Sequence, residues 1–409
     1  MTGKKYFVLI LVLGALTTIS PFSIDMYLPG FPAIAKDLNT SIADIQLSLT
    51  SYLIGVSLGQ MIYGPLLDRF GRKVPLYIGL LIYIFTSLGC AVTNSSDALI
   101  IMRFLQAIGG CVGMVASQAL VRDIFPKTET AKVFSLLILV VSVSPMIAPT
   151  VGGYVTTIFG WESIFIILAI ITALILVSLF FVLPEGRKPD KSFSLKPGPV
   201  INGFLTVTKN PQFLTYSLVG GIASAALFAY ITGSPEVFIT IYNFSEREYG
   251  FLFAFFSVGV IGSTQLNHIL LKRFSSEEII SVALSYQTFI GILLLTGAYF
   301  DWYNKYILIL LLFVFLTGQG LISPNSSALS LAPFSRLTGS ASALLGSLRM
   351  GLGGLISGIV SVLHNRTVIP MLGVMATCSL IGFILLNISK RRFPIKEPEE
   401  GVEEETVIL

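Results

Sequence analysis

Twelve apolar runs, each about as long as a helix that crosses a bilayer, constrain this chain more than any other feature. A hydrocarbon core takes roughly 20 residues at about 1.5 Å rise each. Runs of that kind fall at 6–28, 45–67, 75–93, 98–122, 132–157, 162–183, 212–234, 247–271, 278–299, 305–330, 337–363 and 369–389. Inside lipid the backbone finds no water, so each run must close its own hydrogen bonds as a helix. Only 12% of the 409 residues are charged, against roughly 25% in ordinary soluble domains. The expected fold class is therefore an all-α integral membrane protein with twelve transmembrane helices. Lys4 and Lys5 precede the first run as they would in a signal peptide, but the run is long and no A-x-A cleavage site follows, so a retained helix is expected.

The distribution of basic residues sets the expected topology. With both termini in the cytoplasm, 20 of the 26 Lys and Arg residues fall at the termini or in even-numbered loops. Lys36, Arg247, Lys305 and Arg366 fall on the other side, and Arg103 and Arg349 lie within spans. This asymmetry follows the positive-inside rule. The longest connection, from Pro184 to Pro211, carries Arg187, Lys188, Lys191 and Lys196 and reads as a cytoplasmic linker. It divides the chain into an N-terminal six-helix half (1–183), the linker (184–211), a C-terminal half (212–389) and a cytoplasmic tail (390–409). The halves echo each other: Leu66-Leu67-Asp68-Arg69-Phe70 returns as Leu270-Leu271-Lys272-Arg273-Phe274, and Ser117-Gln118-Ala119-Leu120 as Ser326-Ser327-Ala328-Leu329. Similar offsets are what parallel half-repeats produce. After Lys396 the tail holds six glutamates and no basic residue, the composition of a solvated, disordered segment.

Several function classes are disfavoured. Cys90, Cys111 and Cys378 all lie in apolar runs without metal-ligand spacing, which reads as helix-packing thiols. His268 and His364 are far apart with no ligand-like neighbours, so no metal site is expected. There is no G-x-x-x-x-G-K-[ST] loop to cradle ATP phosphates. An intramembrane enzyme would need a clustered nucleophile and base, and a channel would need a continuous polar ring.

The charged residues near and within the spans carry the remaining information. The loop Gly64-Pro65-Leu66-Leu67-Asp68-Arg69-Phe70-Gly71-Arg72-Lys73 packs four charges and two glycines between two apolar runs. Asp68 is suited to cap a helix N-terminus, and Gly71 admits a turn with positive φ. Arg122-Asp123 ends the fourth span on the same side, where Asp123 can join this cluster. In the first span Asp25 stands in Pro21-Phe22-Ser23-Ile24-Asp25-Met26-Tyr27-Leu28-Pro29. Two readings are open for it: a wet interfacial carboxylate, or a desolvated group that exchanges a proton. The fourth span carries Arg103, Gln106, Gly110, Gly113 and Ser117 at helical spacing, either as a packing stripe or as a cavity face. Arg103 comes to a depth similar to that of Asp25, because the two helices run in opposite directions. The fifth span contains Pro145, Pro149, Gly152 and Gly153, residues that kink a helix and let another approach. The eleventh places Ser342, Gly346, Arg349, Gly353 and Ser357 on one face, with Arg349 near mid-membrane. Gln118, Gln319, Asn325 and Tyr27 complete the candidate cavity lining, although each glutamine alone reads better as a helix–helix hydrogen bond than as a ligand contact.

The Gly64–Lys73 spacing closely resembles the G-x-x-x-D-R-x-G-R-K signature of the major facilitator superfamily. The fourth span resembles its R-x-x-Q-G motif, with Ala107 at the glycine, and the fifth the antiporter motif G-P-x-x-G-G, with Ala148 at the first glycine. Asp25-Met26-Tyr27-Leu28-Pro29 and the Pro324-Asn325 through Gly346 region resemble the Bcr/CflA group of proton-coupled drug exporters. The resemblance implies two pseudo-symmetric halves, a central cavity and alternating access without ATP or another cofactor, driven by the proton gradient. It matches Asp25 and Arg103 to the acidic and basic coupling positions of the first and fourth helices. It matches Gly64, Asp68, Arg69, Gly71, Arg72 and Asp123 to a cytoplasmic latch in which Asp68 meets the start of the eleventh helix near Thr338-Gly339. Arg349 departs from the uncharged polar residue expected at its place. The implied protein is a monomeric bacterial inner-membrane antiporter of small amphipathic molecules that needs no nucleic acid. A proton–nutrient symporter on the same architecture is the alternative.

Overall fold

The computed structural model describes residues 3–184, 189, 197–334 and 338–392. In chain order its helices are α1 (Gly3–Asp25), α2 (Phe31–Asp37), α3 (Ile42–Phe70), α4 (Lys73–Ala91), α5 (Ser96–Ile124), α6 (Lys127–Phe159), α7 (Glu162–Val182), α8 (Pro197–Thr208), α9 (Pro211–Pro235), α10 (Glu246–Leu270), α11 (Ser276–Phe300), α12 (Lys305–Leu331), α13 (Thr338–Val362) and α14 (Ile369–Arg392). Among the described residues twelve helices are long and apolar enough to cross a membrane, α2 extending the first past a 3₁₀ turn at Leu28–Gly30. Twelve crossings return the chain to the side where it began. That side is called near below, and the opposite one far.

The spans lie within five residues of the expected ranges, and their extra residues are polar caps that an apolar ruler omits. The Ser41 hydroxyl accepts from the Asp44 N–H at 3.1 Å, and the Asp44 carboxylate accepts from the Ser41 N–H at 3.1 Å. The same reciprocal box opens α10 through Ser245 and Glu248 and α11 through Ser275 and Glu278. Each such cap is worth about 1 kcal/mol and fixes where the helix starts. At the near end of α3 the chain turns at Gly71 with φ +80°, a conformation that a side chain would strain.

Lipid tails give apolar helices no reason to prefer each other over solvent, so packing relies on small residues that allow backbones close together. A Cβ at Gly109 would lie 2.7 Å from the Gly79 carbonyl, and one at Gly113 would lie 2.5 Å from that of Leu16. These contacts lock α5 onto α4 and α1. The stretch expected only as a linker contains α8. Its Val207 packs with Phe213, Ala341, Leu344 and Leu345 and so ties the connection to the start of α13. Arg187, Lys188, Lys191 and Lys196, and the acidic tail, lie outside the described residues. The two echoed strings occupy matching places, at the near ends of the second and eighth spans and in the fourth and tenth.

Two seams join the first six spans to the last six. Along α3 and α13, Thr50 Oγ1 meets Ser357 Oγ at 2.9 Å, and Ser57 Oγ donates to the Ser347 carbonyl at 2.8 Å. The Gln60 side chain occupies the space beside Gly346. Nearer the near side, Gly64 and Gly339 have no neighbouring heavy atom within 4 Å of where a Cβ would sit. The second seam, between α6 and α10, lies wholly toward the far side.

Candidate functional site

The far-side seam is built by the proline–glycine stretch of α6. Pro145 and Pro149 lie inside the helix. Beyond them a Cβ on Gly152 would overlap the Met26 carbonyl, and one on Gly153 would overlap that of Glu246. Gly250 on α10 answers from the other side, 2.9 Å from the Pro149 carbonyl by the same measure. Thr150 Oγ1 donates to the Gly250 carbonyl at 3.2 Å, and the Arg247 guanidinium lies 4.9 Å from the Tyr154 ring centre. α6 thus grips the end of α1 with one glycine and the start of α10 with the next.

Asp25 is the last residue of α1 and adjoins Met26 in this seam. It is buried, with 6% of its surface exposed, which removes the reading of a fully wet interfacial carboxylate. The carbonyl of Met26, the next residue, lies against Gly152 of α6 one position from the Gly153–Glu246 contact, so Asp25 sits beside the seam where the two sets of spans meet. Among the described residues no ion pair reaches its carboxylate.

Arg103 is at the expected depth, but its partners differ from the expected ones. It is fully buried and faces no cavity. One terminal nitrogen donates to Gln106 Oε1 at 2.6 Å, and the other to the Ser23 carbonyl at 2.9 Å, two residues before Asp25. Its guanidinium lies over the rings of Tyr52 and Tyr27, at 4.1 and 4.6 Å. Gln106 in turn donates to Ser87 Oγ at 2.7 Å, and Ser117 Oγ to the Leu13 carbonyl at 3.4 Å. The stripe on the fourth span is therefore a packing face against α1 and α4. Carbonyl, amide and aromatic faces hold the terminal nitrogens without neutralising the cation, its Nε has no partner among the described residues, and the Asp25 carboxylate is left without an ion pair among them. Arg103→Leu strands Gln106 and the Ser23 carbonyl in a buried site. Loss of a buried polar partner costs about 1–3 kcal/mol, so a fall in unfolding temperature, checked by thermal unfolding in detergent, is the expected result.

Other expected cavity residues are corrected in the same way. Tyr27 is buried, its hydroxyl 2.8 Å from Ser48 Oγ and its ring edge-on to Phe31. Gln319 donates to the Ala223 carbonyl on α9, and Asn325 to Asn267 Oδ1 at 2.6 Å, so both join helices of the second set. In each case a neighbour distant in sequence takes the polar group, although Gln319 Oε1 has no partner among the described residues. Gln118 alone among them is exposed, on a face of α5 turned about 100° from Ile101 and about 140° from Leu105 at 100° per residue. Arg349 is half-buried and stays inside the second set. Its guanidinium donates to the Ser323 carbonyl at 2.9 Å and to Ser326 Oγ at 3.1 Å, beside Gly220, while its Nε has no partner. It neither snorkels to a membrane surface nor approaches Asp25, which lies at the far end of α1.

On the near side Asp68, Arg72 and Asp123 come together. Arg72 donates to Asp68 Oδ1 at 2.8 Å and to Asp123 Oδ2 at 2.6 Å, bridging the ends of α3 and α5. Burial disfavours the Arg72 charge, and the bonds to Asp123 and Asp68 outweigh it, so the net effect raises its pKa. Arg69 closes the last turn of α3 beside them. No heavy atom lies within 4 Å of where a Cβ on Gly339, near the start of α13, would sit.

One pair was not anticipated at all. Glu236, at the far end of α9, meets His364, just past α13, with Oε1 and Nε2 2.5 Å apart. Their only sequence signal is a carboxylate following Pro235 at the end of an apolar span. The partner lies 128 residues away.

Helices of the two sets paired along two seams, with a buried carboxyl where they meet that has no ion pair among the described residues, define a polytopic membrane transporter rather than an enzyme. The chain belongs to the Major Facilitator Superfamily, whose sequence model matches residues 13–358. It is 32% identical over 381 residues to a bicyclomycin resistance protein homolog of Haemophilus influenzae, covering 93% of this chain and 96% of that one. It is 27% identical to multidrug resistance protein D of Escherichia coli, over 92% and 94% of the two chains. Among solved structures, a bacterial homolog of the human lysosomal transporter Spinster, in an inward-facing and occupied conformation, superposes with a TM-score of 0.76. It is 14% identical and aligns over 96% of this chain and 98% of that one.

Proposed function

We propose that this protein exports small amphipathic molecules, drugs or metabolites, in exchange for protons by alternating access. The observation that carries this reading is Asp25, buried and without an ion pair in the seam that closes the far side. A charged carboxylate in a closed, dry seam is costly, whereas a protonated one is tolerated. Protonation therefore favours far-side closure and exposes the cavity to the near side. There, substrate binding accompanies proton loss. The bare carboxylate then favours opening of the far side, where substrate leaves and a new proton enters. The names of the relatives above support export over the symporter alternative.

On this reading the near side is cytoplasmic, and the protein lies in a bacterial inner membrane with both termini inside. Residues 1–183 and 212–389 form the rocking halves, 184–211 links them and 390–409 is a tail. The Asp68–Arg72–Asp123 cluster is the open form of a latch in which Gly64, Arg69 and Gly71 shape the turn. Asp68 meets the α13 N-terminus only when the near side closes, a dipole contact worth about 0.3–1 kcal/mol. The unit is a monomer that needs no cofactor.

Arg349 sets the substrate preference. Its fixed cation repels quaternary ammonium compounds, and its unpartnered Nε favours molecules rich in hydrogen-bond acceptors. Inside-out vesicles with an acidic lumen are expected to accumulate a bicyclomycin-like tracer and to lose it when an uncoupler is added. Arg349→Gln weakens that uptake about tenfold, the size of one charge-assisted hydrogen bond, and admits cations. Uptake that requires the opposite gradient refutes export, and an unchanged substrate profile refutes the role of Arg349.

A further inference from the structure

The Glu236–His364 pair lies outside everything assigned above. α9 ends at Pro235, and Glu236 begins a π-helical turn, Glu236–Ile241. Such turns are rare and concentrate at functional sites. Glu236 and His364 side chains are only 8% and 17% exposed. The π-helical turn touches α2, so the pair lies at the base of a far-side contact between the two sets of spans.

We propose that Glu236 and His364 form a second proton-binding site, at the far-side mouth, which takes up protons on the side where Asp25 is buried. The hydrogen bond between carboxylate and imidazole needs one proton, held on either partner. A second proton, on Nδ1, turns the pair from singly anionic to neutral overall without breaking that bond. Imidazole is the side chain whose ordinary range spans pH 5 to 8. The charged or titratable groups on the surrounding elements are Arg366 in the same loop, Lys36 and Asp37 on α2, Tyr242 at the end of the turn with Asp301 near it, and Glu246, Arg247, Glu248 and Tyr249 on α10. Arg366 adds positive charge beside Glu236, while Lys36 and Asp37 are exposed to solvent. The pair thus holds the buried carboxylate of this mouth.

The proton-binding site can be tested without transport, whereas its role in transport rests on the antiport reading. The chain has two histidines, and His268 is exposed on α10, so His268→Gln leaves His364 as the single reporter. Imidazole-labelled protein in detergent, followed by nuclear magnetic resonance, then gives the protonation curve of His364 alone. Adding Glu236→Gln displaces that curve by about one pH unit, a tenfold change in proton affinity. A curve unmoved by Glu236→Gln, in protein that keeps its thermal unfolding temperature, overturns the site. In proteoliposomes, His364→Gln is expected to flatten the dependence of efflux on far-side pH while proton release on substrate binding, the Asp25 step, remains. An unchanged far-side pH profile overturns the transport role alone, and loss of proton release as well counts against the antiport reading.

Discussion

Asp25→Asn abolishes efflux driven by a pH gradient while leaving substrate exchange across the membrane intact. The substitution preserves shape and removes the proton site, so the seam that holds residue 25 closes as it does around a protonated carboxyl. Exchange of labelled for unlabelled substrate needs no net proton movement and persists. The wild-type protein releases protons when substrate binds in weakly buffered detergent, and the variant releases none. Because Arg103 is occupied by Gln106 and the Ser23 carbonyl, no buried cation is stranded by the change. The variant therefore folds and binds. Gradient-driven efflux at the wild-type rate removes Asp25 from the coupling step.

Gly153→Val holds the far side open. A Cβ at this position overlaps the backbone carbonyl of Glu246, an atom that cannot swing aside as the end of a flexible side chain would. Overpacking costs about 1–3 kcal/mol, and here that cost falls only on the closed state, because α6 and α10 separate when the seam opens. An equilibrium between states shifts about 5- to 150-fold for that energy. Spin labels at Asn94 and Trp302, exposed far-side residues in the first and second sets, report the change as a longer distance. Cys90, Cys111 and Cys378 are buried and interfere little with labelling. Transport falls while thermal stability stays near the wild-type value. An unchanged distance distribution shows that α10 absorbs the side chain, and the seam is then not the gate.

These two residues also mark how far reading by sequence reaches. Asp25 stood out because a carboxylate in an apolar run is anomalous on its own. The α6 stretch stood out because prolines and paired glycines have local consequences for a helix. Neither signal named the partner, and only the packed structure shows Gly152 against Met26 and Gly153 against Glu246. Arg103 shows what depth alone leaves open. Its place beside Asp25 in depth did not name a partner: a guanidinium carries five donors, and the acceptors it takes are a carbonyl and an amide. Gln106, Gln319 and Asn325 were drawn to a cavity by polarity alone and were consumed by neighbouring helices.

The sequence by itself determined what depends on neighbours along the chain. That covers the twelve spans and the charged residues that stand out within them, Asp25, Arg103 and Arg349. Hydropathy, helical period and capping act within a few residues, so they can be read from a string. The tertiary structure decided what depends on distance between remote residues: the two seams, the aromatic seat of Arg103, the Arg72 bridge and the Glu236–His364 pair. Those contacts join positions from 51 to 307 residues apart. Which acceptor a buried donor takes depends on angstroms of helix approach, set by small residues on both partners at once, and no single stretch of sequence contains that information.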